Sequence, residues 1–163
     1  MSTSPVQDEQ FTLVIGIGNL YRGDDALGIV VARRLKARNP ARTIVVEQSG
    51  EGAALLAAWQ DASSVIVVDA MNSGAQPGTI QRFDAHTEPL PGHIFPYSTH
   101  AFGLREAIEL GRVLGNLPRR LTIYGVEGKT FAPGEGLSAE VERAAQTLER
   151  LLIEISLEDL MRL

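Results

Sequence analysis

No cysteine occurs anywhere in this chain of 163 residues, and that gap removes several chemistries at once. A disulfide framework, an iron–sulfur cluster held by the chain, a thiolate zinc site and a cysteine nucleophile are all excluded. Basic charge is also short, with 15 lysines and arginines against 20 aspartates and glutamates and a net charge of −5. That balance leaves no footprint for nucleic acid or anionic lipid, and acidity of this size needs no more than water as a partner. Long apolar runs are missing as well. No segment reaches the roughly 18 apolar residues of a membrane span. The opening MSTSPVQDEQ lacks the basic start and apolar core of a signal peptide. The expectation is a cytoplasmic protein with neither a nucleic-acid nor a membrane partner.

What is present is a globular composition, 44% hydrophobic and 21% charged, of a length that suits one core. Residues 1–10 are expected to form a short mobile tail and residues 11–163 a single α/β domain. Short β-rich runs alternate with helical ones, without repeats or a low-complexity linker. Strands are predicted over Thr12–Gly16, Thr43–Glu47, Ser64–Ala70, Thr79–Phe83 and Leu121–Val126. TLVIGIG and VIVVDA are near-continuous apolar runs, the pattern of parallel strands covered on both faces. TIQRF mixes polar and apolar residues and suits an edge. Helices are predicted over Ala26–Ala37, Gly52–Trp59 and Leu104–Leu114, with a long one after Ser138, a candidate N-cap. This order implies a mostly parallel sheet between helices on both faces, with functional groups at the carboxyl ends of the strands.

The first such end carries GIGNLYRGDDALG, Gly16 to Gly28. A strand, a glycine turn and a helix are the parts of a dinucleotide cradle. Here Leu20 and Tyr21 crowd the turn, and Gly23 comes two positions late for that fingerprint. Asp24 and Asp25 would also consume the donors and positive field that a phosphate needs. One of the two can simply cap the helix. Asp69 ends the run VIVV, where a buried carboxylate costs several kcal/mol unless it is paired or bound to a cation. If the two apolar strands are neighbours, Asp25 and Asp69 open onto one crevice without an evident basic partner. His100, in YSTHAFGL, stands just before a helix start and is preferred over His86 and His93. Two carboxylates and an imidazole suit Zn²⁺, Ni²⁺ or a similar ion. Ser98 and Ser49 allow a serine mechanism with His100 and Asp69 on paper, but no nucleophile-elbow pattern surrounds either. Glu127, in GVEG, is either a further strand-end group or an exposed loop acid. Ile94, Phe95 and Tyr97 either close the long loop Asp84–Gly103 over a ligand or pin it to the domain.

Taken in order, GIGNLYRGDDALG, VIVVDAMNSGAQPGT, STHAFGL and LTIYGVEG resemble the hydrogenase maturation endopeptidases over nearly the whole chain. These enzymes remove a C-terminal tail from the large subunit of nickel–iron hydrogenases. The resemblance implies a twisted sheet of about five strands between helices. It also implies that a hydrogenase large-subunit precursor is the client, and that Asp25, Asp69 and His100 contact the nickel already inserted there. Zinc or another divalent ion could occupy the same ligands. The first position is glutamate in some members of the family, and the adjacent Asp24 leaves open which carboxylate points inward. The nickel would either polarise the scissile carbonyl or only dock the client and align its tail. A non-enzymatic nickel-sensing module of the same fold and a nucleotide-binding α/β protein are the alternatives. A monomer is expected, since the protein must admit a large folded client.

Overall fold

The computed structural model describes residues 11–91, 94–95 and 100–162. The expected N-terminal tail, with His93, Tyr97 and Ser98, lies outside them. Five strands, β1 (Thr12–Ile17), β2 (Thr43–Gln48), β3 (Ser64–Met71), β4 (Ile80–Asp84) and β5 (Arg120–Glu127), form one sheet in the order β2-β1-β3-β5-β4. The first four positions in that order pair in parallel, and β4 closes the far edge antiparallel to β5. Helices α1 (Leu27–Arg38), α2 (Gly52–Trp59), α3 (Leu104–Leu114) and α4 (Ala139–Met161) cover the two faces. Each predicted element exists, with ends differing by a residue or so, and TIQRF does lie at an edge.

Alternation along the strands decides which helix meets which face. Leu13, Ile15 and Ile17 of β1, with Val65 and Val67 of β3, pack toward Leu55 and Trp59 of α2 and Ile108 of α3. Val14, Ile66 and Val68 point the other way, onto Leu27 and Leu35 of α1 and Leu148 of α4. Both sets are almost fully buried, which is why these strands carry apolar residues at successive positions. Ion pairs from Arg34 to Glu142 (2.8 Å) and Arg38 to Glu149 (3.2 Å) tie the outer sides of α1 and α4 together.

The path from β1 runs through α1 to β2 on one side, and the chain then returns through α2 to β3 on the other. The carboxyl ends of β1 and β3 therefore flank the point where the topology switches direction, the usual crevice of an open α/β sheet. Glycines let α1 descend onto this point. A Cβ on Gly28 would overlap the carbonyl oxygens of Ile17 and Val68, and one on Gly16 would overlap that of Gly28. The glycine pattern after β1 thus serves backbone-on-backbone packing of helix against sheet. Gly28→Ala should destabilise the fold by at least about 2 kcal/mol, because the obstacles are main-chain atoms that cannot rotate away. Urea unfolding followed by circular dichroism measures it; an unchanged midpoint would contradict the close approach.

Candidate functional site

After β1 the chain makes a single 3₁₀ turn, Gly23–Ala26, before entering α1. The turn sends its two aspartates in different directions. Asp24 is completely buried. Its Oδ2 accepts from the N–H groups of Lys129 (2.8 Å) and Thr130 (3.1 Å) and from the Ser138 hydroxyl (2.9 Å). Its Oδ1 accepts from the Ser138 N–H at 2.8 Å. Asp24 therefore anchors the loop between β5 and α4. Ser138 does occupy the N-cap position of α4, but its hydroxyl is spent on Asp24 and does not cap its own helix. The Asp24 and Asp25 amides are already bonded, to the carbonyls of Thr130 (2.9 Å) and Arg22 (3.1 Å). A Cβ on Gly18 would overlap the Asp25 carbonyl oxygen, so the turn folds against its own strand where a pyrophosphate would need to lie. These contacts argue against the dinucleotide reading.

Asp25 points the other way and lines a cavity of about 230 Å³ at the switch point. Asp69, at the end of β3, and His100, just before α3, line the same cavity. The sheet pairs β1 with β3, so the neighbour relation on which this grouping depended is met. Burial pushes the Asp69 carboxyl well above the usual carboxylate range, and the nearby charge of Asp25 pushes it further in the same direction. Asp25 is itself raised by burial, with the Arg22 guanidinium opposing. A basic group therefore does bear on Asp25, and Arg105 of α3 also lines the cavity.

His100 is half-buried, and its Nε2 lies 3.1 Å from the Ser49 hydroxyl. Ser49 follows β2 and lines the same cavity. Glu51, two residues on, caps α2 by accepting from the N–H groups of Ala53 and Ala54, both at 2.9 Å. Those two bonds hold its carboxylate below the ordinary range, with a smaller contribution from His100. Of the other histidines within the described residues, His86 turns away and bonds the Pro118 carbonyl oxygen at 2.7 Å. Among the described residues no group of three histidines and carboxylates is arranged to hold a metal ion unaided.

Two alternatives that the sequence left open are decided by the fold. Glu127 is not an exposed loop acid: it is buried and accepts from the Ser73 hydroxyl at 2.7 Å and from the Ser73 and Gly74 N–H groups. That leaves it clamping the loop after β3. Ile94 is buried in the core, and its carbonyl accepts from Asn72 N–H at 2.7 Å, so this part of the long loop is pinned to the domain. Phe95 packs edge-on against Phe83 and also lines the cavity. The Ser49–His100 contact was only one of several pairings the sequence allowed. Its positional signal is weak, because the two residues are distant in the chain and meet only through the fold.

The pattern defining the family described as hydrogenase maturation protease matches residues 29–155, a span that contains Asp69 and His100 and begins shortly after Asp25. A relative from Methanocaldococcus jannaschii, assigned provisionally to the hydrogenase maturation proteases, is 34% identical over 88% of this chain and 95% of its own. The hydrogenase 2 maturation protease of Escherichia coli K12 is 30% identical, covering 86% of this chain and 87% of its own. The fold is similar to the solution structure of an endopeptidase from Escherichia coli, with a TM-score of 0.78 and 24% identity over 91% of this chain and 93% of that one. Among the described residues no helix is long and apolar enough to cross a membrane.

The two aspartates of the turn should respond oppositely to truncation. Asp24→Ala strands buried donors and should lose about 3 kcal/mol or more, whereas Asp25→Ala should cost little or stabilise. Urea melts of both variants decide it, and equal losses would refute the division. A second expectation concerns pH. In the unfolded chain Asp69 ionises near pH 3.9. In the folded chain it ionises only well above that. Below both values each state holds the proton and the residue contributes nothing. As pH rises between them the unfolded state releases its proton first, so the folded state is progressively disfavoured. Asp69→Asn should thus melt higher than the unmodified protein at about pH 8, with the gap closing toward about pH 4. A gap independent of pH would show that charge burial is not its cause.

Proposed function

Because the chain belongs to the hydrogenase maturation protease family, we propose that it removes the C-terminal extension of a nickel-loaded hydrogenase large-subunit precursor. The chain is a peptide hydrolase of that family. In this reading it recognises the inserted nickel through Asp25, Asp69 and His100. The observation that carries the reading is a pair of partly desolvated carboxylates facing one cavity that also receives an imidazole.

The donor set is chemically apt. Carboxylate oxygens and imidazole nitrogen suit divalent first-row ions, and a cation relieves the repulsion that raises Asp69. Among the described residues the trio forms no finished cage, and in this reading the client brings the metal and the remaining ligands. Nickel is then part of the substrate, and its presence serves as a check that the client is loaded. When held there it supplies positive charge beside the scissile bond, either polarising the carbonyl or fixing the tail in place. Asp25, Asp69 and His100 orient the client through the metal, and Asp69, raised by burial and by the charge of Asp25, gives up its proton as the cation arrives. Arg22 opposes the rise of Asp25 and Arg105 lines the cavity, so positive charge stands near the site before a client arrives.

The test is intact-mass analysis of an unprocessed, nickel-loaded large subunit incubated with this protein. A C-terminal fragment should be lost with the unmodified protein, while a nickel-free client stays whole. Asp25→Asn and Asp69→Asn should slow cleavage by about 100-fold or more. A stable complex whose mass never changes would instead establish a docking module. Normal cutting by both variants would remove the roles given to these carboxylates.

A further inference from the structure

We infer that Ser49 is a positioning residue for His100: its hydroxyl holds the Nε2 edge of the ring and so fixes the orientation with which the imidazole meets the client's metal. The inference rests on the functional reading above.

The contact is 3.1 Å, within hydrogen-bonding reach, and a hydroxyl can serve either tautomer as donor or acceptor. Both partners stand on braced segments. Ser49 directly follows β2, whose last residue, Gln48, accepts from the Gly18 N–H at 3.1 Å. Gly50 is buried at φ +96°, a left-handed conformation that turns the chain sharply from strand to helix. Glu51 then locks the start of α2 through its two capping bonds. On the other side, the Gly52 N–H donates to the Phe102 carbonyl at 2.8 Å, two residues beyond His100. A Cβ on Gly52 would overlap the Phe102 ring, so the two segments are pressed together at this point. The separation of Ser49 from His100 is thus set by main-chain contacts on both sides.

A metal-facing histidine characteristically has its second ring nitrogen held by an outer partner, and losing that partner weakens affinity or activity about 10- to 100-fold. Ser49 fills that place in this chain. A nucleophilic role is the competing chemistry, since a serine beside an imidazole can also attack a carbonyl. The positioning role is favoured because His100 cannot be a free general base for Ser49 while it faces the nickel.

The experiment uses Ser49→Ala and Ser49→Thr in the full chain with two readouts. In the protein alone, the ring nitrogen resonances of His100 should move in Ser49→Ala, return toward their original positions in Ser49→Thr, and do so without a change in melting temperature. With client, Ser49→Ala should reduce the binding preference for nickel-loaded over nickel-free precursor by about 10- to 100-fold, leaving affinity for the nickel-free form unchanged. Unshifted His100 resonances, or an unchanged preference, would overturn the inference while leaving the functional reading intact. Covalent trapping of Ser49 by a fluorophosphonate, with cleavage abolished in both variants, would overturn it in favour of a nucleophile. Absence of any nickel preference in the unmodified protein would fell the functional reading and this inference together.

Discussion

The architecture around the cavity depends on one buried carboxylate. Asp24 collects three N–H donors and a hydroxyl from the segment between β5 and α4, and it does so from within the turn that joins β1 to α1. Two loops at the carboxyl edge of the sheet, distant in sequence, are thereby fixed to one another. A buried anion is tolerable there because four polar hydrogens surround it, which is the condition for leaving water. The Gly23 N–H to Gly134 carbonyl bond and the return bond from Gly134 N–H to the Tyr21 carbonyl, each 2.9 Å, extend the same junction through backbone. With that junction made, the next residue has no freedom to join it and is turned toward the crevice.

Adjacent residues of identical chemistry thus carry opposite energetic signs. Asp24 is satisfied and stabilises; Asp25 and Asp69 are raised by burial and, for Asp69, by the other's charge. The fold holds the second pair in place through strand pairing and close glycine packing, which cost the site nothing in flexibility. Carboxylates held short of satisfaction in a cleft are the ordinary signature of a site that meets something positive. Structural ion pairs also perturb carboxylates, but those among the described residues engage other acids: Glu47, Glu109, Glu140, Glu142 and Glu149.

Much of the fold was legible because its signals are local. Continuous apolar runs marked β1 and β3 as doubly covered strands, and 3.6-residue periodicity marked α3 and α4. The polar alternation of TIQRF marked the edge, though not that β4 would run antiparallel. The pairing of Asp25 and Asp69 followed from a single topological assumption, the adjacency of β1 and β3. What stayed hidden was long-range. Nothing beside Asp24 in the chain reveals donors at positions 129, 130 and 138, so the choice between two neighbouring aspartates could not be made from spacing. Glu127 could not be told from an exposed loop acid, because its glycine and valine neighbours say nothing about Ser73 and Gly74 folding over it. The glycines carry the letters of a ligand's cradle but give clearance for α1 itself, two uses that sequence alone does not separate.

If Asp25, Asp69 and His100 meet a client's nickel as proposed, the lack of a finished cage has a thermodynamic consequence for a protein that would check its client. A finished three-ligand cage with a good inner geometry would bind free divalent ions by itself, and the occupied site would then discriminate nothing. Two raised carboxylates and one half-buried imidazole bind a lone ion less tightly, because part of the binding energy goes into releasing a proton from Asp69 and gathering the ligands. When a client presents the metal together with its own ligands, that outlay is shared with a protein–protein contact, and the combined interaction depends steeply on the metal being there. Weak affinity for the ion alone and strong dependence on the ion in complex are therefore not in tension. Both follow from holding Asp25 and Asp69 in one cleft with their carboxyls raised by burial.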